Sequence, residues 1–68
     1  MNVTFMANTY HEVKVKFDIA CHLTVTDLRT NAVFSCALTL EKYNEAVDFV
    51  KENDHGNVVN LLNQKYPF

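Results

Sequence analysis

Between Val13 and Leu40 the apolar residues alternate with polar ones, stop, and resume in the opposite phase. Val13, Val15, Phe17, Ile19, Cys21, Leu23 and Val25 hold odd positions, the pattern breaks at Asp27-Leu28-Arg29-Thr30-Asn31, and Phe34, Cys36, Leu38 and Leu40 continue it on even ones. Successive side chains of a strand point to opposite faces, so this pattern describes a β-hairpin with one apolar face. Few other folds accommodate it, and the remaining residues read as cover for that face.

The break itself predicts the register. An Asp side chain can accept a bond from the backbone two residues on, and Asn tolerates the left-handed conformation, so Asp27 and Asn31 bracket a four-residue loop, Leu28 to Asn31. Closing Asp27 opposite Ala32 sets Val25 across from Phe34, Leu23 from Cys36, Cys21 from Leu38 and Ile19 from Leu40. A two-residue loop at Leu28-Arg29 would instead oppose Cys21 to Cys36, but such loops favour Asn or Gly at their centre. In the first register the two cysteines are diagonal neighbours and read as buried small hydrophobes rather than a disulfide.

Thirteen residues from Val13 to Val25 are long for one strand. With no Gly or Pro to mark a break, the expectation is one long strand bent near Asp18 and Ala20. Upstream, Val3, Phe5 and Ala7 alternate before an Asn8-Thr9 turn signal, which predicts a short strand pairing back onto the long one. Downstream, Thr39 is a helix cap, and Tyr43, Ala46, Val47 and Val50 form an apolar stripe widened by Phe49. Glu41 and Glu45 in the first turns and Lys51 in the last suit the helix dipole. That helix should end near Asn53, with Asp54-His55-Gly56 as the stop, and Asn57 should cap a short second helix carrying Val58, Val59, Leu61 and Leu62. Tyr66 and Phe68 are candidate anchors at the end of the chain. The fold class expected is α+β: a small antiparallel sheet of two or three strands, built on one long hairpin, with one long and one short helix packed on one face, in the order β-β-β-α-α.

Composition bounds the functions. A chain of 68 residues is a single domain near the lower limit for folding alone, so extra contact surface from a second copy is expected to help, and a homodimer is the predicted state. With 49% hydrophobic and 21% charged residues it is globular rather than disordered. The net charge of −2, with acids and bases mixed along the chain, argues against affinity resting on phosphate neutralisation. No run is long and apolar enough to span a bilayer, and Met1 to Phe5 lacks the basic and apolar segments of a signal peptide, so a cytoplasmic location is expected. In that setting the sequon Asn2-Val3-Thr4 carries no meaning.

Reactive chemistry finds little support. Cys21, Cys36, His11, His22 and His55 show no spacing used by zinc sites, and neighbouring Cys21 and His22 fall on opposite strand faces. No Gly-rich stretch offers an oxyanion hole or a phosphate cradle, since the chain has one glycine. The pairs Glu41/Glu45 and Glu52/Asp54 sit where helices carry solvated charge. Lys14, Lys16, Arg29 and Lys42, with Tyr10 or Tyr43 for stacking, make at most a modest basic patch. Lys14 and Lys16 read more simply as the solvent side of a strand. The expectation is a protein that is not an enzyme and needs no metal or cofactor.

The second face of the hairpin draws more interest. Ala20, His22, Thr24 and Thr26 lie against Val33, Ser35, Ala37 and Thr39, a surface small and nearly uncharged, which fits either a sheet covered by a second copy or another protein or a solvated face carrying Thr and Ser as good exposed strand residues. His22, Thr24, Arg29, Ser35, Ala37, Tyr66 and Phe68 are therefore the candidate partner-binding residues. The function expected is a small protein-binding module that inhibits or modulates a larger protein. The alternatives are a dimeric nucleic-acid-binding regulator and a toxin–antitoxin partner. The chain is short, rich in Asn (2, 8, 31, 44, 53, 57, 60 and 63) and poor in Gly and Pro. In size and make-up it resembles the accessory and anti-defence proteins of phages and mobile elements, a likeness of kind that rests on no shared motif.

Overall fold

The computed structural model describes residues 1–8 and 10–62. Four strands, β1 (Asn2–Asn8), β2 (His11–Phe17), β3 (His22–Asp27) and β4 (Ala32–Ala37), are followed by helices α1 (Leu40–Lys51) and α2 (His55–Leu62). The strands form one antiparallel meander in the order β1-β2-β3-β4. The α+β architecture expected from the sequence is present, with one strand more than the predicted two or three.

The extra strand comes from the stretch expected to be one long bent strand. It divides into β2 and β3 at a tight turn, where the Asp18 N–H donates to the His22 carbonyl at 2.8 Å. Ala20 and Cys21 both adopt positive φ there, 57° and 60°. Neither residue type favours that conformation, so the centre of the turn carries no residue that marks a full break. The expected apolar pair of Ile19 with Leu40 is accordingly absent, and Ile19, at the turn, is 91% exposed. Cys21 keeps its predicted relation to Leu38, whose N–H donates to the Cys21 carbonyl at 3.0 Å.

The β3–β4 hairpin has the four-residue loop and register read from the sequence: Asp27 opposes Ala32, Val25 opposes Phe34 and Leu23 opposes Cys36. Asp27 Oδ1 accepts from the Arg29 N–H at 2.9 Å, and Asn31 takes φ 60°. The β1–β2 turn is closed by Asn8, whose Oδ1 accepts from the backbone N–H groups of Tyr10 and His11 and from His11 Nδ1. A register shift between Met6 and Asn8 marks a bulge at the end of β1.

Both helices cover one face of the sheet. The core joins Phe5, Val13, Val15, Phe17, Leu23 and Val25 from the strands to Ala46, Val58, Val59 and Leu62 from the helices. Thr39 caps α1 by accepting from the Lys42 N–H, and the predicted stripe of Tyr43, Ala46, Val47 and Val50 packs inward. The helix stop differs from expectation. Asn53 at φ 57° ends α1, with its N–H donating to the Val50 carbonyl and that of Asp54 to the Phe49 carbonyl. This paired closure needs one left-handed residue, and Asn supplies it. Asp54, not Asn57, then starts α2: its carbonyl accepts from the N–H groups of Asn57 and Val58, and Gly56 lies inside the helix. The cover is incomplete over β4, where Phe34 on the inner face stays 40% exposed.

Candidate functional site

The sheet face away from the helices is the candidate site. Strand alternation fixes its occupants: Asn2, Thr4 and Met6 from β1, Glu12, Lys14 and Lys16 from β2, His22, Thr24 and Thr26 from β3, and Val33, Ser35 and Ala37 from β4. Adjacent registers align them in rows across the sheet. Asn2, Lys16, Thr24 and Ser35 form one row, and Thr4, Lys14, Thr26 and Val33 the next. His22 opposes Ala37. Four of the seven candidate residues, His22, Thr24, Ser35 and Ala37, are thus brought together.

Arg29 is not with them. It sits in the β3–β4 turn at the far end of β3, roughly 20 Å from His22 at about 3.3 Å per residue. There it joins Met6, Tyr10, Glu12 and Leu28 around an open cleft of about 260 Å3. Tyr66 and Phe68 lie outside the described residues.

The hairpin alone suggested a nearly uncharged face. The full sheet adds the charges of β2: Lys14 and Lys16 are exposed on it beside Glu12. Lys16 Nζ lies 3.6 Å from Asp18 Oδ1, an exposed pair contributing little energy of its own. Val33 is 62% exposed, an apolar residue at the β4 end of a polar row.

The end of the face near His22 is built by the β2–β3 turn, which sequence reasoning missed as a feature. Asp18 ties it to both layers. Its Oδ2 accepts from the Thr24 hydroxyl at 2.9 Å on the outer face, and its carbonyl accepts from the Tyr43 hydroxyl at 2.9 Å from α1. The Tyr43 ring meets Phe17 edge-on, with centroids 5.8 Å apart. Two non-glycine residues in the left-handed region cost about 2–4 kcal/mol. The two side-chain bonds to Asp18, with the Leu38 N–H bond to Cys21, offset that at about 1–1.5 kcal/mol each. The product of this strain is a fixed turn that holds Ile19 in solvent. The available signal was length: thirteen residues exceed an ordinary strand, and Ile19 is next to Asp18, a residue suited to turns.

The groups weighed for chemistry are dispersed. Cys36 is buried and Cys21 half-buried, both free thiols. Glu41, Glu52 and Asp54 are exposed, and Glu45 Oε2 lies 3.6 Å from Lys42 Nζ along α1. His55 stacks on Phe5 with ring centroids 4.7 Å apart, so it is a packing residue that opens α2 rather than part of the expected stop. Among the described residues, no three of His, Cys, Asp or Glu gather to hold a metal ion. Among the same residues, no helix is long and apolar enough to cross a membrane. No protein-family model, curated protein or solved structure matches the chain.

Proposed function

We propose that this chain is a non-catalytic protein-binding module that inhibits or modulates a larger protein through the outer face of its sheet. The observation that carries the reading is the β2–β3 turn. An isoleucine 91% exposed is held in solvent by a backbone with two left-handed non-glycine residues. Strain kept against the chain's own preferences accords with function at that spot, because a relaxed turn would serve the fold better. Beside Ile19, the exposed residues His22 and Ala37 offer a small polar and apolar surface of the kind that packs against a partner. An apolar anchor surrounded by such contacts is how protein interfaces concentrate their energy. A phage or mobile-element origin and a cytoplasmic setting accord with the size and composition.

The test is photocrosslinking in a lysate of the native host. A photoreactive residue at position 19 or 37 should capture one discrete protein, and the same residue at Lys51 on α1 should not. Capture from Lys51 but not from 19 or 37 would overturn the reading.

A second reading, nucleic-acid binding by the same face, is favoured by Lys14 and Lys16 with Arg29 and the exposed Tyr10 at one end. Glu12 and Asp18 interrupt that charge, so it ranks below the first. Binding to DNA or RNA that weakens steeply with added salt would promote it.

A further inference from the structure

We infer that two copies of this chain join edge to edge through β1, forming one continuous eight-stranded sheet about a two-fold axis at Thr4. This interface runs along the β1 edge of the sheet, where Asn2, Thr4 and Met6 border the outer face, and leaves Ile19, His22 and Ala37 uncovered.

The hydrogen-bond directions of β1 follow from one contact. The Phe17 N–H donates to the Met1 carbonyl at 2.9 Å, so Met1 and Phe17 are a directly bonded pair. Bonded and non-bonded pairs alternate along an antiparallel ladder. Val3 opposite Val15 and Phe5 opposite Val13 are therefore bonded to β2 as well. Asn2, Thr4 and Met6 turn their N–H and C=O groups the other way. In the order β1-β2-β3-β4, no described strand lies beyond them.

Natural edges of this kind are guarded by charge, usually Lys, or by proline. β1 has neither, and its one interruption is the bulge between Met6 and Asn8. The helix packed against it, α2, also lacks any Asp, Glu, Lys or Arg. At the chain average of 21% charged, the fifteen residues of β1 and α2 would carry about three such side chains, and they carry none. Among the described residues the charges lie on α1, on β2, at the end of β3 and in the turns. An uncharged flank meets its own copy without repulsion, and a strand whose outward groups are self-complementary satisfies the two-fold rule that one patch binds itself.

The geometry selects a register. Antiparallel pairing centred on Thr4 opposes Thr4 to its own copy and Asn2 to Met6 of the other, using every outward group before the bulge. Val3 and Phe5 then meet across the axis on the helix side and extend the core that β1 and α2 already share.

The experiment is sedimentation velocity from micromolar to submillimolar protein, with amide hydrogen exchange at both ends of the range. The wild type should sediment as a dimer at the upper end, and the amides of Thr4 and Met6 should slow with concentration while those of Val3 and Phe5 stay protected throughout. Thr4→Pro removes an N–H that points away from β2, a position where an edge strand accepts proline. It should raise the dimer dissociation constant at least about tenfold. If Thr4→Pro disturbs folding by circular dichroism, Thr4→Lys, which sets two ammonium groups at the axis, should give the same loss. Ile19→Asp and Ala37→Glu, on the other surface, should leave the dimer intact. A monomer at every concentration overturns the proposal. So does a dimer that tolerates both Thr4 variants, or one that dissociates with Ala37→Glu alone.

Discussion

The two turns that flank β3 do the same topological job with opposite local chemistry. The β3–β4 turn uses residues suited to it: Asp27 accepts the Arg29 N–H, and Asn31 occupies the left-handed region at φ 60°. The β2–β3 turn puts Ala20 and Cys21 in that region and recovers the cost through Asp18, Thr24 and Tyr43, residues up to 25 positions apart. One turn is encoded by residues suited to it, with one backbone bond from the Leu28 N–H to the Glu12 carbonyl of β2 at 2.9 Å, and the other is imposed by the packed structure around it. The lesson is that the imposed turn has stability in reserve, which the encoded one lacks.

Substitutions can break that contrast in order of size. Ala20→Pro fixes φ near −65° where 57° is required, and should destabilise by on the order of 3 kcal/mol in urea unfolding. Tyr43→Phe keeps the ring against Phe17 but removes the hydroxyl bond to the Asp18 carbonyl, and should cost about 1 kcal/mol by the same measurement. Asn31→Ala should cost a similar amount, about 1 kcal/mol, because alanine tolerates a φ of 60° less well than asparagine. Cys21→Gly should stabilise by about 0.5–1 kcal/mol, since glycine accepts a φ of 60° without penalty. Asn31→Gly should change little. Equal gains at the two positions would remove the distinction between the turns.

The same contrast explains what was legible in the sequence. The β3–β4 register followed from Asp27, Asn31 and the phase of the apolar residues, all within twenty residues of each other. The first helix followed from Thr39 and its stripe. The split of the long strand did not, because Asp18 is the one local residue suited to a turn there and the bonds that hold it include one from Tyr43, on a helix formed later in the chain. Ile19 was assigned to the core by alternation, which holds only while the strand continues. The early start of α2 was hidden for a related reason, since Asn53 ended α1 before the only glycine was reached. Of the candidate site, the polar face of the hairpin was legible by strand period, whereas Lys14 and Lys16 joined it only once β2 was a separate strand beside β3.

The strained turn, on the function proposed, presents Ile19 to a partner. Ile19→Asp tests it through two readings on one variant. Because the side chain is 91% exposed, unfolding free energy should stay within about 0.5 kcal/mol of wild type. Partner capture from host lysate should be lost. A variant equally stable that still captures the partner at the wild-type level would contradict the account.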